Sequence, residues 1–229
     1  MATAQKSRSK QAKAITLKGS TEIVTDFFKF ATNAILYHRN VYPTDDFQMV
    51  KKYGQVVLVT QDLGLERYID TVLTQVKEWL ASGSITQLVI AIVARESKIT
   101  LERWVFDIKL TLPPGPTAEN PKPAPLPPKP ESEIQAEIRG IIKQIISSNT
   151  FLPTLNEPTY FTVLAYTNDK PGAASTPGGD PSSEANPAPA LWIDSDPLLI
   201  EQGKSQQVRL KSFDTKIHKI EAMVSYRHG

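Results

Sequence analysis

The sequence predicts an α+β fold, in which an antiparallel sheet packs on three helices. Three observations carry that expectation. Three stretches repeat apolar residues at helical spacing: Ile23–Ala34, Leu65–Leu80 and Ile134–Ile145. A continuously apolar run, Ile85–Ala94, and an alternating run, Thr100–Leu112, are joined by the polar turn Arg95–Lys98 and read as a hairpin. The C-terminal third holds strand-like segments with no helix between them, so the sheet cannot be built from parallel crossovers.

Taken in order, Ile15–Leu17 reads as a short edge strand. Ser20 is the expected N-cap of the first helix, with Glu22 in its first turn, where the helix dipole favours an acid. Ile23, Phe27, Phe30 and Ala34, with Val24, Phe28, Ala31 and Ile35 beside them, form an apolar face wide enough for deep burial. The helix stops before Tyr42-Pro43, because the residue preceding a proline is driven out of the helical region. Val56–Val59 reads as a short buried strand. Asp62 caps a second helix with the stripe Leu65, Ile69, Val72, Val76 and Trp79/Leu80, ended by Ser82-Gly83. In the second strand of the central hairpin, Trp104, Phe106, Ile108 and Leu110 share one face.

Ser132-x-x-Gln135 matches a capping box for the third helix, whose narrow stripe is Ile134, Ile138, Ile141 and Ile145. Gly140 within it costs about 1 kcal/mol relative to alanine and marks either close approach of another element or mere tolerance. Phe151-Leu152-Pro153 ends this part. Tyr160–Tyr166, Ala190–Asp194, Gln206–Ser212 and Ile217–Tyr226 have strand character; Ile220, Ala222, Val224 and Tyr226 share a face. Trp79, Trp104 and Phe151 read as core residues.

Proline punctuates this order. Fourteen of the 18 prolines fall in Pro113–Pro130 and Pro171–Pro189, segments that can enter neither a helix nor a central strand. The expected organisation is a basic, disordered tail over 1–14 (Lys6, Arg8, Lys10, Lys13) and a single domain over 15–229 interrupted by two proline-rich inserts, 113–130 and 171–189. The long second insert lets the strands beyond it pair with either edge of the sheet. That freedom is what a module needs in order to capture a partner strand and close over it.

Composition removes several classes. Cysteine is absent, so there is no disulfide, thiolate metal site or cysteine nucleophile. No apolar run is long enough to cross a bilayer, and no apolar stretch follows the basic N-terminus as it would in a secretory signal. An intracellular protein with no membrane partner is the expectation. The net charge of +2 comes largely from the tail and leaves a body close to neutral, unlike a nucleic-acid binder. His38, His218 and His228 have no partner at metal-ligand spacing and read as structural or exposed. No phosphate-binding glycine loop or nucleophile elbow occurs, and the acids are scattered through turns and strand ends. The expectation is a binding module that is not an enzyme and needs neither cofactor nor metal. An active site assembled from dispersed carboxylates is the rival.

A set of short motifs then becomes informative through its order: Ile15-Thr-Leu-Lys-Gly-Ser-Thr-Glu-Ile-Val24, Ala34-Ile-Leu-Tyr37, Tyr42-Pro43, Lys52-Tyr-Gly54, Leu101-Glu-Arg-Trp104 with Phe106-Asp107, Phe151-Leu-Pro153, Ser212-Phe213, Ile217-His-Lys219 and Met223-Val224. From about Ile15 to Tyr226 the chain resembles the HORMA-domain family, most closely its spindle-checkpoint branch. The resemblance implies an adaptor that switches between open and closed forms. It captures a short hydrophobic motif as an added strand and wraps it with a mobile C-terminal safety belt. The implied peptide site is Phe161, Val163, Ala165 and Tyr166, with Trp192, Ile220, Val224 and Tyr226 from the belt. The implied dimer or partner face is Arg139, Lys143, Gln144, Phe151 and Lys211, where lysines at 143 and 211 replace the family's usual arginines and lose its planar fork. Leu17 and Ile220 fall in the implied switch segments.

The implied partners are the kinetochore coiled-coil checkpoint protein, the activator of the anaphase-promoting complex, a second copy of the chain and a HORMA-remodelling AAA+ ATPase. The implied locations are nucleus, cytoplasm and kinetochore. Other branches of the family, the translesion-polymerase adaptors and meiotic axis proteins, are the alternative. Pairing of Gln206–Tyr226 beside Tyr160–Tyr166 would mean an open form, and pairing at the opposite edge a closed one.

Overall fold

The computed structural model describes residues 15–111, 128–168, 192 and 195–228. The expected tail, most of the first proline-rich insert, all of the second, and most of the segment 190–194 lie outside these residues.

Helix α1 (Leu17–His38) opens the fold. Its N-cap is Thr16, whose hydroxyl accepts from the Gly19 amide at 3.1 Å, so neither the edge strand at 15–17 nor the Ser20 cap is found. Ser20 is one turn further in and buried, its hydroxyl engaged with Thr215 and His218. Strands β1 (Phe47–Lys52) and β2 (Gln55–Thr60) form a separate antiparallel hairpin. The sequence pattern missed β1, because its exposed face mixes Met49 with polar residues. The two-residue turn Tyr53-Gly54 places both residues at positive φ (51° and 68°), the geometry whose twist suits a tight hairpin. Asp62 caps α2 (Leu63–Ser82) by accepting from the Leu65 amide at 2.6 Å, a contact worth about 1 kcal/mol.

The main sheet contains β3 (Ile85–Ala94), β4 (Thr100–Leu110), β5 (Thr159–Thr167), β6 (Ser205–Asp214) and β7 (His218–Arg227). Its order is β5-β3-β4-β7-β6, antiparallel throughout. The C-terminal hairpin therefore sits on β4, at the edge opposite β5. The β4–β7 ladder runs from Glu102 opposite Tyr226 to Leu110 opposite His218.

Helix α3 (Glu131–Ile146) follows the described end of the first insert, residues 128–130. Its expected capping box does not form: Pro130 occupies the cap without a side-chain bond, and Gln135 donates to Glu131 instead. At Gly140 the close-approach reading holds, since an added Cβ would lie 3.1 Å from the Lys211 stem on β6.

All three helices pack on one face of the sheet. Phe27 meets Phe106 and Phe213 edge-on at 5.7 and 4.9 Å, joining α1 to β4 and to the C-terminal hairpin. Trp104 is fully buried, as expected, whereas Trp79 is half-buried and Phe151 exposed. Among the described residues, one ion pair has both side chains buried. Arg39 donates to Glu102 through Nε at 2.8 Å and also through Nη2, and Glu102 accepts from Trp104 Nε1 at 3.0 Å. Arg39 also donates to the Pro153 carbonyl. The pair thereby fixes the end of α1 to β4 and to the connection that leads into β5.

Candidate functional site: the free edge of β5

Strand β5 terminates the sheet, and among the described residues no strand pairs with its outer side. Phe161, Val163 and Ala165 face the helices, while Leu164 and Tyr166 face the opposite side. Beyond this edge lies a cavity of 540 Å³, lined by residues 162–166 of β5, Tyr68 and Val72 of α2, and Trp192 with residues 195–197.

The far wall of the cavity belongs to the approach to β6. Trp192 packs edge-on against Trp79 of α2, with ring centroids 5.0 Å apart, on the helical side. Residues 195–197 pass beside the β5 edge. Leu198 then packs on the other side of the sheet, against the cluster of Val89, Val105 and Leu164 that Tyr166 and Met223 also join. At the opposite edge the Lys204 carbonyl accepts from the His228 amide at 3.0 Å, and Glu201 meets Arg227 at 3.2 Å. The segment thus straps the sheet from the β5 edge to the β6–β7 edge. A strand placed under it finds an unpaired backbone on one side and two differing walls: aromatic toward α2, aliphatic toward Leu198.

Phe161 is held between Tyr42 and Tyr68, at centroid distances of 6.0 and 5.5 Å. Burial pushes the Tyr68 phenol above its ordinary pKa, against the lowering effect of hydrogen bonding to the Val163 backbone and the Thr162 side chain. Trp192 Nε1 is buried without a partner among the described residues.

The structure gathers five of the residues anticipated for peptide binding at this edge: Phe161, Val163, Ala165, Tyr166 and Trp192. It separates the other three. Ile220 and Val224 are fully buried under the helices, opposite Ile108 and Trp104 of β4. Tyr226 lies opposite Glu102 and donates to Gln206 at 2.7 Å. The reason is topological: the C-terminal region reaches the groove through the strap before β6, whereas two strands, β3 and β4, lie between β7 and β5. Tyr68, Val72 and residues 195–197 were missed. Tyr68, one position before the Ile69 stripe on α2, carried the available signal.

The anticipated partner face lies on α3 and β6. Arg139 Nη1 is 3.1 Å from where a Cβ on Gly54 would stand. Lys143, Lys211 and Phe151 are exposed. Gln144 is already engaged, its Oε1 accepting from the Lys211 amide at 2.6 Å. Leu17 is 38% exposed in the first turn of α1. Among the described residues no group of three acidic or histidine side chains could hold a metal, and no helix is long and apolar enough to cross a membrane.

Comparison with known proteins places this arrangement. The HORMA domain model matches residues 20–218. The chain is 45% identical over 213 residues to Mitotic spindle assembly checkpoint protein MAD2A of Dictyostelium discoideum, covering 93% of each chain. It is 42% identical to the Homo sapiens protein of the same description, again over 93% of each. A chain in a crystal structure of the Mitotic Checkpoint Complex superposes with a TM-score of 0.72 at 35% identity, covering 92% of this chain and 99% of that one. Caenorhabditis elegans HTP-2 bound to the HIM-3 closure motif shares the fold at a TM-score of 0.70 and 13% identity, with 99% of each chain covered. The α+β fold, the order of motifs and these matches lead to one conclusion: the chain belongs to the HORMA domain family.

Proposed function

We propose that this protein is a spindle-checkpoint adaptor that captures short hydrophobic peptide motifs by strand addition to β5 and holds them under the strap. The observation that carries this reading is the strap itself, which crosses the sheet from a free strand edge to the opposite edge and leaves a cavity of 540 Å³ beside β5. In this reading the described arrangement is the closed form, and the open form places the C-terminal hairpin on β5. The cargo is the motif of the kinetochore coiled-coil checkpoint protein or of the anaphase-promoting complex activator. Arg139, Lys143, Phe151 and Lys211 form the face for a second copy or another checkpoint component, and Gln144 takes part through its hold on β6. A HORMA-remodelling AAA+ ATPase reopens the closed form, and the protein acts at kinetochores, in the nucleus and in the cytoplasm. The role is binding, not catalysis.

Captured peptide stabilises the closed form only through contacts that the open form lacks. Moving a population from 1:99 to 99:1 requires about 5.5 kcal/mol of such preference, within reach of several buried side chains plus a strand ladder. The test is stopped-flow binding of two synthetic peptides, one with the coiled-coil checkpoint motif and one with the translesion-polymerase motif. A slow phase independent of peptide concentration, and preference for the checkpoint motif, are expected. Binding in one fast phase overturns strap closure. Preference for the polymerase peptide reassigns the protein to that branch.

A further inference from the structure

The end of the first proline-rich segment makes an arrangement that the peptide site does not use. Lys129 stands between Pro128 and Pro130, immediately before α3, and its side chain is 7% exposed. Its ammonium donates to both Glu137 oxygens at 2.7 and 2.6 Å, and to the Asp214 carbonyl at 2.9 Å. Glu133 lies further out, at 3.8 Å. Glu137 in turn accepts from the Asp214 amide at 3.1 Å. Both backbone groups of Asp214, the last residue of β6, are therefore taken by one ion pair, as a neighbouring strand would take them. Two helical turns further along α3, Gln144 accepts from the Lys211 amide. Lys211 lies at the β-bulge between Arg209 and Ser212, where the β6–β7 ladder shifts register.

We propose that Lys129 and Glu137 form a clamp that holds the C-terminal hairpin on the β4 edge by binding the backbone of Asp214. They are positioning residues and touch no captured peptide. The clamp reads main chain, so it senses where the hairpin is and ignores side-chain identity. The prolines on either side of Lys129 restrict its backbone, which reduces the entropy lost on forming the contact. The geometry also assigns the first proline-rich segment a role beyond spacing, because its last residues are fastened to the hairpin. The proposal rests on the reading that the hairpin leaves and rejoins β4 as a unit.

The experiment is amide hydrogen exchange of the full peptide-free chain, read by NMR, for wild type, Lys129→Met, Glu137→Gln and Lys129→Arg. Removing a charged hydrogen bond from a part-buried backbone group makes the β6–β7 amides exchange about tenfold faster or more, all together. Amides of α2 and β3 keep their rates, and Lys129→Arg recovers most of the protection. Acceleration confined to Asp214, or spread equally into α2 and β3, overturns the clamp. These rates involve no peptide. Failure of the checkpoint peptide to bind wild type would thus sink the capture reading alone, while an unmoved hairpin exchange rate would sink the clamp alone.

Discussion

Phe213→Ala tests whether the hairpin docks as a separable unit. Phe213 is 1% exposed, and its ring meets Phe27 at 4.9 Å, so β6 and β7 gain this burial only on the β4 edge. Truncating a buried phenylalanine costs about 3 kcal/mol or more, through lost transfer energy and the cavity left behind. If the hairpin detaches while the remainder stays folded, that loss falls on the docking equilibrium. A docked-to-undocked ratio of about 100:1 becomes about 1:1. The three tryptophans, labelled with 5-fluorotryptophan, provide the assay: Trp104 sits opposite Val224 of β7 and reports docking, while Trp192 reports the strap. The expected result is a second Trp104 resonance of comparable intensity, with native far-UV circular dichroism. Phe28→Ala is the control, since Phe28 packs on Phe27 and Phe106 and removes a similar side chain from the main core. It should lower Tm and leave one Trp104 line. If Phe213→Ala behaves in the same way, hairpin and body unfold together and the reasoning fails.

Glu102→Gln leaves the Arg39 guanidinium buried without its counter-charge and should destabilise the protein by about 3 kcal/mol, read as a urea midpoint; replacing both residues by leucine should recover most of that loss. His218 is 1% exposed, with Nδ1 2.7 Å from the Ser20 hydroxyl and Nε2 3.2 Å from the Leu80 carbonyl, and burial depresses its pKa below the ordinary 6.5. Its contribution is complete above about pH 6.5, where the unfolded chain is also neutral, and is lost as pH falls toward the folded pKa, by about 1.4 kcal/mol per pH unit. Urea titrations from pH 7.5 to 5 should show a shallower slope in His218→Gln than in wild type, the remainder coming from His38, which burial also holds below 6.5; equal slopes would assign the effect to other groups. Trp192→Ala removes the contact with Trp79 and one wall of the groove, and should speed peptide dissociation by about tenfold or more with little change in Tm.

Most of the scaffold could be read from periodicity. The α2 stripe, the β3–β4 hairpin and the four isoleucines of α3 are each set by a local repeat, and each lies where its repeat predicts. The start of α1 could not be read in the same way. Ile15, Thr16 and Leu17 suit a strand as well as a helix entry, and the choice rests on a single capping contact, the Gly19 amide donating to the Thr16 hydroxyl, which no periodic pattern announces. The groove was half legible. The alternating pattern of β5 pointed to Phe161, Val163 and Ala165. The strap has no repeat, because a single irregular, proline-containing segment that crosses the sheet needs none. Assigning Ile220 and Val224 to the groove followed from treating the whole C-terminal region as one wrapping element. In the structure only the part before β6 wraps, and the part after it is core.

The strap and the sheet together close a ring. One side is covalent chain running from β5 to β6, and the other is the ladder sequence β6-β7-β4-β3-β5. Under the proposed capture, a segment threaded through that ring with bulky groups at both ends would be retained by connectivity alone. It leaves when a seam parts, and the β4–β7 seam, with nine residue pairs from Glu102–Tyr226 to Leu110–His218, joins the C-terminal hairpin to the rest. The lifetime of such an enclosed chain is then a property of the enclosing protein. Cargoes that differ widely in how well they fit the groove should converge on one slowest escape rate, set by how often the seam opens.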